Sequence, residues 1–325
     1  MEGTITLTPI MTDILTVTMN PALDVSTSTD RVMDTHKLRC TAANLHPGGG
    51  GINVARVVHR LGGDCLAMFP VGGVTGQLLQ QLLMEEQVPH HCIHIAGETR
   101  ESFSVRESST GRDFRFVLPG PDMVQPEWEA CLAYVGALPT PPRYLVVSGS
   151  LPPGVPTDFC ARLAEVAQAA SKGSTRVVVD TSGAALVAAL YAGVYLVKPS
   201  LRELRDLTGR TLTSETEWRE AAQQLIHEGQ AQVVALSLGE DGALLVTADQ
   251  ALRAKGVAVK VASSIGAGDS FVGGMIWALS RSDDLEQAFR YGMASGAAAL
   301  LSAGTALCQP ADVERLHNDV KVTRA

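Results

Sequence analysis

The feature of this sequence that most limits its fold is a regular alternation between short apolar runs and stretches with helical character. Runs such as residues 145–147 and 177–179 are entirely apolar and rich in valine, as expected for strands buried on both faces of a sheet. Strands that alternate with helices in this way form βαβ units with parallel strands. The sequence therefore predicts an α/β fold built on a parallel sheet.

The predicted elements can be placed along the chain. We predict five core strands, at Cys65–Val71, Tyr144–Ser148, Arg176–Asp180, Val194–Val197 and residues 233–237. Helices are predicted at residues 53–61, 75–86, 125–137, 157–171, 200–208, 215–228 and 270–279. The region from 266 to 307 is rich in Gly, Ala and Ser, and small residues permit close helix packing.

One segment departs from this pattern. Apolar and polar residues alternate on both sides of residues 109–111, which predicts a β-hairpin with one solvated face over 102–117. Residues 14–18 and 38–45 alternate in a similar way, and we expect all three pieces to form a small β-layer. Such a layer is either a lid over a site or an ordinary edge hairpin. We expect a single domain over 13–320, with lid segments near 14–45 and 98–120 and an N-terminal extension at 1–12.

Charge and composition exclude several classes of protein. The chain has 34 acidic residues against 26 Lys and Arg, a net charge of −8, so it is a poor partner for nucleic acid or anionic membranes. The longest apolar run, 184–197, is too short to span a bilayer. The N-terminus lacks the basic start of a secretory signal, and none of the six cysteines forms a CxxC pair. We therefore expect a cytoplasmic protein without a zinc site.

The first candidate site is a turn of four glycines, Gly48 to Gly51, that leads into a helix. Glycine lets the backbone approach a ligand closely and adopt positive φ. Asn53 adds a polar side chain at the start of the helix. The spacing matches neither the dinucleotide nor the P-loop glycine motif, so a purely structural turn remains an alternative.

The second candidate site is the sequence Gly266-Ala267-Gly268-Asp269 before a predicted helix. Free backbone N–H groups at a helix N-terminus bind anions. A carboxylate beside them is explained if Asp269 is a general base that takes a proton from a hydroxyl while the amides stabilise a phosphoryl group in transfer. The alternative is that Asp269 only caps the helix.

The third candidate is Asp24 in the segment Asn-Pro-Ala-Leu-Asp, which follows the first strand. A carboxylate there could accept hydrogen bonds from neighbouring sugar hydroxyls. Taken alone, the segment is equally a turn.

Two further segments lie between the glycine turn and Gly266 in the chain. They are Ser-Gly-Ser-Leu-Pro-Pro-Gly at 148–154 and Val-Lys-Pro at 197–199. Together all these segments resemble the PfkB branch of the ribokinase-like carbohydrate kinases, from about residue 14 to the C-terminal helix. The resemblance implies a Rossmann-type three-layer α/β/α domain with a small β-sheet lid. It also implies transfer of a phosphoryl group from MgATP to O1 of fructose 6-phosphate.

One position bears on the choice of substrate within the branch. Gly50 stands where relatives acting on fructose 1-phosphate or tagatose 6-phosphate usually have lysine, which favours fructose 6-phosphate. Kinases for those two sugars and a catalytically silent sugar-phosphate sensor on the same fold remain alternatives.

The resemblance implies roles for individual residues. Asp269 would be the catalytic base, and Gly266, Ala267 and Gly268 would form the anion site. The implied substrate-binding residues are Asp24, Lys37, Arg39, Gly49, Gly50, Asn53, Arg100 and Ser150, and the basic ones would face the sugar phosphate.

The resemblance also implies a nucleotide and metal side. The implied nucleotide-binding residues are Lys198, Ser200, Ser237, Gly239 and Gly242. Glu203 ends the family's Asn-x-x-Glu motif, which organises Mg²⁺ through water, although here Ser200 replaces the Asn. A monovalent cation, K⁺, would bind at Ser263, Ile265, Ala299, Ser302 and Gly304. A homodimer formed through the lid is a further implication of the family.

Overall fold

A computed structural model of the chain describes residues 12–34 and 37–325. The strands lie in two sheets. In chain order they are β1 (Ile14–Val17), β2 (Ala22–Thr29), β3 (Asn44–Gly48), β4 (Cys65–Val71), β5 (His90–His94), β6 (Arg100–Glu107), β7 (Asp113–Val117), β8 (Tyr144–Ser148), β9 (Arg176–Asp180), β10 (Val194–Val197), β11 (Ala231–Ser237), β12 (Ala243–Val246), β13 (Ala251–Ala254) and β14 (Val322–Arg324).

The larger sheet has ten strands in the order β14-β13-β12-β11-β10-β9-β8-β1-β4-β5. The seven strands from β11 to β5 are parallel, and β12 to β14 extend one edge in antiparallel fashion. Because parallel strands end at the same edge, the residues that follow β1, β8, β9 and β10 meet there. In open α/β sheets this is the edge where ligands bind.

Helices cover both faces of this sheet. They are α1 (Gly50–Arg60), α2 (Gly73–Glu85), α3 (Gln125–Gly136), α4 (Phe159–Ser171), α5 (Gly183–Ala192), α6 (Leu201–Thr208), α7 (Glu215–His227), α8 (Ala267–Arg281), α9 (Leu285–Ala299) and α10 (Pro310–His317). Each face has its own apolar core, one containing α1, α8 and α9 and the other α3, α4 and α5. The predicted three-layer α/β/α architecture is therefore confirmed. No helix in the described part of the chain is long and apolar enough to cross a membrane.

The smaller sheet has four strands in the order β3-β2-β6-β7. Its hairpin, β6 and β7, is the one predicted from the alternating pattern. The register pairs Asp24 with Ser102, Ala22 with Arg100, and Ser104 with Arg115. Paired residues share a face of a sheet, so these side chains all point to the same side.

Several predictions for the small sheet were wrong. Residues 14–18 do not belong to it, because β1 pairs with both β4 and β8 at the centre of the large sheet. The expected strand at 38–45 starts only at Asn44, and residues 37–43 have no regular structure. The strand β2 was missed, because its first residues read as a turn. The expected extension at 1–12 falls almost wholly outside the described residues.

The core strands agree closely with the predictions, and β11 begins two residues earlier than expected, at Ala231. The helix predicted from residue 270 begins at Ala267, with Gly266 as its N-cap. Asp269 therefore lies within the first turn and is not the capping residue. The predicted close packing of small residues occurs between α8 and α9, where a side-chain carbon on Gly274 would meet Ser295.

Candidate active site

A cavity of about 350 Å³ lies at the carboxyl edge of the large sheet, between that edge and the small sheet. It collects residues from distant parts of the chain. The lining residues are Ala22, Asp24, Gly49, Gly50, Asn53, Arg100, Ser102, Arg115, Val117, Gly149, Ser264, Ile265, Gly266, Gly268 and Asp269. All three segments singled out in the sequence therefore contribute to one cavity.

Asp269 is fixed in the cavity by Asn53. The Asn53 Nδ2 group donates a hydrogen bond of 2.8 Å to Asp269 Oδ2. Removal from bulk solvent raises the pKa of Asp269 to about 6, and the carboxylate of Asp180 adds to this rise. The Asn53 bond and the Lys198 ammonium act in the opposite direction. A carboxyl with a pKa in this range can exist as a base at neutral pH and hold a proton briefly.

The N-terminus of α8 lies beside this carboxyl. Gly266 caps the helix with φ +77°, and Ser270 N donates the first helical hydrogen bond to Gly266 O. The amides of residues 267–269 precede that bond and have no acceptor within the helix. Gly266 and Gly268 line the cavity, so the amides at this end can face an anion placed there.

Lys198 brings a positive charge to the same region. It follows β10, is 8% exposed, and its Nζ lies 3.1 Å from Asp180 Oδ1 at the end of β9. Burial lowers the pKa of Lys198, but Asp180 and the other nearby carboxylates more than offset this and raise it overall. A side-chain carbon on Gly268 would lie 3.5 Å from Lys198 Nζ, so the charge reaches the start of α8.

Asp24 and the glycine turn also line the cavity. Burial raises the pKa of Asp24 to about 6, although the positive charges of Arg115, Arg56 and Arg100 oppose the shift. Gly49 has φ +112°, and a side-chain carbon there would lie 2.6 Å from Thr18 Cγ2. A carbon on Gly50 would lie 2.8 Å from Gly149 N. Glycine at 49 leaves room for the segment that follows β1, and glycine at 50 lets the loop after β8 approach the start of α1 closely.

Two arginines lie on the face of the small sheet that lines the cavity. Arg100 donates to Asn20 O at 3.0 Å and to Leu118 O at 3.0 Å, so its guanidinium also holds two loops in place. Arg115, on β7, makes no hydrogen bond or ion pair with any residue the structure describes, and its charge is directed into the cavity. The sequence analysis did not single out Arg115 as a site residue. The alternating pattern of β7 predicts its face, but only the register with β6 brings it to the cavity.

Some predicted substrate residues lie elsewhere. Lys37 and Arg39 are exposed on the segment that precedes β3 and do not line the cavity. Ser150 is outside the lining but accepts a 3.2 Å hydrogen bond from Asn20 Nδ2, next to the loop that Arg100 holds. Ala267 is also absent from the lining, although its neighbours belong to it.

The predicted nucleotide-binding residues lie along the ends of β10 and β11. Ser200 and Ser237 form a parallel bridge, and Ser237 N donates to Pro199 O. Gly239 and Gly242 follow β11 with φ of +63° and +98°. The charge of Lys198 acts on Asp269, so these predicted nucleotide-binding residues lie next to the cavity.

Glu203 is held by a capping box at the start of α6. Its Oε2 accepts from Ser200 N at 2.7 Å and from Ser200 Oγ at 2.8 Å, while Ser200 Oγ accepts from Glu203 N at 3.2 Å. The carboxylate is close enough to influence the pKa values of Asp180 and Lys198. Ser200 thus caps α6 through its hydroxyl, where an asparagine would have offered an amide.

The predicted cation-binding residues occupy two adjacent segments. Ala262 N and Ser263 N both donate to Leu300 O, which joins the loop before α8 to the end of α9. Ser263 and Ile265 come from the first segment, and Ala299, Ser302 and Gly304 come from the second. The two segments are therefore neighbours where Leu300 accepts these bonds, and the cation site itself stays a prediction.

Asp180 is the second functional candidate that the sequence analysis missed. It ends β9 and is largely buried next to Lys198, and burial raises its pKa. A polar residue at the end of an otherwise apolar strand is the available signal, because such ends meet at the ligand-binding edge.

Comparison with known proteins identifies the family. A model of the pfkB family of carbohydrate kinases matches residues 17–312. The chain therefore belongs to the pfkB family of carbohydrate kinases.

Among its relatives, ATP-dependent 6-phosphofructokinase isozyme 2 of Mycobacterium tuberculosis is 48% identical over 93% of this chain and 88% of the relative. The isozyme 2 of Escherichia coli is 41% identical over 94% of this chain and 98% of the relative. A 1-phosphofructokinase of Xanthomonas campestris is more distant, at 36% identity over 85% and 87%.

Solved structures agree with this placement. Phosphofructokinase-2 from Escherichia coli in complex with fructose-6-phosphate superposes with a TM-score of 0.88, at 40% identity over 95% of this chain and 99% of the other. The same enzyme in complex with potassium superposes with a TM-score of 0.89, at 41% identity over 95% of this chain and 99% of the other. Its tetrameric inhibited form superposes with a TM-score of 0.87, at 40% identity over 95% of this chain and 99% of the other.

Proposed function

We propose that this chain is an ATP-dependent 6-phosphofructokinase that transfers the γ-phosphoryl group of MgATP to O1 of fructose 6-phosphate. The products would be fructose 1,6-bisphosphate and ADP. The observation that carries the proposal is the bond between Asn53 and Asp269 beside the N-terminus of α8, in a cavity that Asp24 and two arginines also line. The high identity to isozyme 2 relatives supports the choice of reaction.

In the proposed mechanism Asp269 accepts the proton of the O1 hydroxyl as that oxygen attacks the γ-phosphorus. The new O–P bond forms while the bond between the γ-phosphorus and the bridging oxygen breaks, and ADP leaves with the electron pair. The amides at the start of α8 and the Lys198 ammonium stabilise the charge on the group in transfer. Asp24 and Asn53 hold the sugar hydroxyls, which fixes O1 in line for attack.

The 6-phosphate of the sugar needs fixed positive charge. Arg115 is a good candidate because its guanidinium makes no hydrogen bond or ion pair with the described residues and lines the cavity, and Arg100 supports the loops beside it. A planar guanidinium matches phosphate oxygens in pairs. Lys37 and Arg39 remain predictions, since they lie on an exposed segment of this chain.

Glu203 fits the binding of Mg²⁺ together with substrate phosphates. Mg²⁺ usually keeps several waters and binds through one or two carboxylates plus phosphate oxygens. Glu203 supplies one carboxylate whose Oε2 is fixed by Ser200, next to Lys198 and Asp180. When bound, the ion would neutralise charge on the β- and γ-phosphates. For K⁺, the adjacent loops at 262–265 and 299–304 offer backbone carbonyls, and a relative is known with potassium.

We propose a homodimer formed through the small sheet. Leu45, Phe116 and Leu118 are 39–55% exposed in or beside this sheet, and unpaired strand edges are protected by association. Sedimentation at micromolar concentration tests this proposal, because a single monomeric species would contradict it. As an enzyme that uses ATP and a sugar phosphate, the protein is expected to act in the cytoplasm.

The decisive experiment measures ADP release from MgATP with fructose 6-phosphate, fructose 1-phosphate, tagatose 6-phosphate and free fructose. A preference for fructose 6-phosphate supports the proposal. Preference for another phosphosugar would retain the chemistry and overturn the substrate assignment based on Gly50. Binding without turnover of any sugar would favour a sugar-phosphate sensor.

A further inference from the structure

Arg56 is a fully buried positive charge that the proposed mechanism does not use. It lies on α1 with a relative exposure of 0%. A buried guanidinium is strongly destabilising unless it is paired and hydrogen-bonded. Its counter-ion is Glu86, the C-cap residue of α2: Arg56 Nε donates to Glu86 Oε2 at 2.9 Å and Arg56 Nη2 donates to Glu86 Oε1 at 2.6 Å. This two-point pairing leaves the Nη1 group directed elsewhere.

The Nη1 group of Arg56 connects three segments around the cavity. It donates to Asn53 Oδ1 at 3.2 Å, to Pro47 O at 3.0 Å and to Thr305 O at 3.1 Å. Asn53 is the hydrogen-bond donor to Asp269. The other two acceptors flank the second cavity carboxylate, Asp24.

The contacts on the Asp24 side are also close. Pro47 precedes Gly48, where a side-chain carbon would overlap the Asp24 carboxylate. Thr305 lies close enough to Asp24 for its hydroxyl to lower the pKa of that carboxyl, although the hydroxyl makes no hydrogen bond within the described residues. One guanidinium thus fixes the surroundings of both carboxylates without lining the cavity itself.

The contact with Asn53 determines which way its amide faces. A side-chain amide has an acceptor oxygen on one side and a donor NH₂ on the other. Because Arg56 donates to Oδ1, the NH₂ group of Asn53 must face Asp269. The reversed amide would place its oxygen against the carboxylate and its NH₂ against the guanidinium, so both contacts would be repulsive.

We propose that Arg56 is a positioning residue that acts through Asn53 to hold Asp269 in the geometry needed for proton removal, with Glu86 as the counter-ion that keeps Arg56 in place. The proposal rests on the proposed function, because it assigns Asp269 the role of base. It adds a residue outside the cavity to the machinery of the reaction.

Arg60 offers a matched control on the same helix. Its Nη2 donates to Glu86 Oε2 at 3.0 Å, and its Nη1 contacts the Ala306 carbonyl in the same loop as Thr305. It makes no contact with Asn53 among the hydrogen bonds of the described residues. Arg56→Lys and Arg60→Lys therefore make the same chemical change on the same counter-ion, and only the first disturbs Asn53.

The experiment compares kcat and both KM values for these variants in the full-length enzyme. A lysine ammonium cannot bridge Glu86 and Asn53 as the guanidinium does, so Arg56→Lys should lower kcat about 10- to 100-fold with little change in the KM for ATP. Arg60→Lys should stay within about twofold of wild type. In an Asn53→Ala background, Arg56→Lys should cost little more.

Equal losses in the two lysine variants, or an undiminished loss in the Asn53→Ala background, would overturn the proposal and leave Arg56 as a packing residue. If Arg56→Lys fails to fold, Glu86→Gln serves instead, since it keeps the shape of the acceptor and weakens the hold on Arg56. It should lower kcat in the same direction, and an unchanged kcat would count against the proposal.

A second readout separates this inference from the proposed function. If the wild-type protein does not phosphorylate fructose 6-phosphate, the titration of Asp269 is followed by NMR of ¹³C-labelled aspartate, assigned with Asp269→Asn. The charged groups that face Asp269 from other elements, Asp180, Lys198 and Asp24, are unchanged by the variants. Since the Asn53 bond lowers the pKa of Asp269, Arg56→Lys should move its titration upward and Arg60→Lys should not. An identical titration in both variants would contradict the proposal.

Discussion

Asn53 and Asp269 are 216 residues apart in sequence, yet Asn53 Nδ2 donates a 2.8 Å hydrogen bond to Asp269 Oδ2. The contact joins the first helix after the glycine turn to the first turn of α8. It fixes one carboxylate oxygen of a residue that lines the cavity, where a general base has to lie.

The first prediction concerns this base. Asp269→Asn should lower kcat about 10²- to 10⁴-fold, because the amide cannot accept the O1 proton. Binding of fructose 6-phosphate should be largely retained, which calorimetry in the absence of ATP can measure. Near wild-type turnover in a clean preparation would remove Asp269 from this role.

A second prediction concerns stability. Burial raises the pKa of Asp269 from 3.8 to about 6, so the folded state holds the proton more tightly than the unfolded chain does. The carboxyl therefore favours folding only at low pH, and this contribution is lost as the pH rises through 6. Asp269→Asn should raise the Tm at pH 8 by roughly 2 °C or more and leave it unchanged near pH 4.

The control for this measurement is Asp249→Asn, because Asp249 is exposed on the turn between β12 and β13. That substitution should leave the Tm nearly unchanged at both pH values. A Tm increase for Asp269→Asn of equal size at pH 4 and pH 8 would show that ionisation is not its cause.

The third prediction is a pH–rate profile. Asp24 and Asp269 both have pKa values of about 6, so two groups lose activity together as the pH falls. The logarithm of kcat/KM should therefore fall more steeply below pH 6 in the wild type than in Asp24→Asn, by about one unit of slope. The sugar phosphate titrates in the same range, but its contribution is identical in both enzymes. Equal slopes would mean that Asp24 does not need to ionise for catalysis.

The fourth prediction concerns the phosphate of the sugar. Arg115→Ala should raise the KM for fructose 6-phosphate about tenfold or more, because a charge-assisted contact to phosphate is lost, and should spare the KM for ATP. Arg112→Ala is the matched control, since Arg112 lies at the exposed turn of the same hairpin and pairs with Glu107. An increase confined to the KM for ATP would mean that Arg115 does not bind the sugar phosphate.

Glu203 gives the fifth prediction. Glu203→Gln should raise the Mg²⁺ concentration for half-maximal rate by roughly tenfold or more, because a charged ligand becomes neutral. Ser200→Ala retains the carboxylate and removes only the hydroxyl of the capping box, so it should have a smaller effect. A Mg²⁺ dependence unchanged in Glu203→Gln would exclude this carboxylate from the metal site.

Much of the fold could be predicted because its signals are local. The valine-rich strands β8, β9 and β10 are bounded by turn residues and match their predicted ranges. β1 was assigned to the wrong sheet because its short alternating pattern describes one strand and not its neighbours. Pairing with β4 and β8 is a non-local choice that depends on the whole topology.

The sequence by itself determined the α/β class, the glycine turn and the candidate base Asp269, because backbone preference, hydrophobic pattern and motif spacing act over a few residues. Only the tertiary structure decided that Arg115 and Asp180 join the cavity region and that Lys37 and Arg39 lie outside its lining. It also decided that the buried Arg56 reaches Asn53 and Thr305 together. These relationships depend on strand register and on helix packing, where small differences in the free energy of distant contacts select one arrangement that no local pattern encodes.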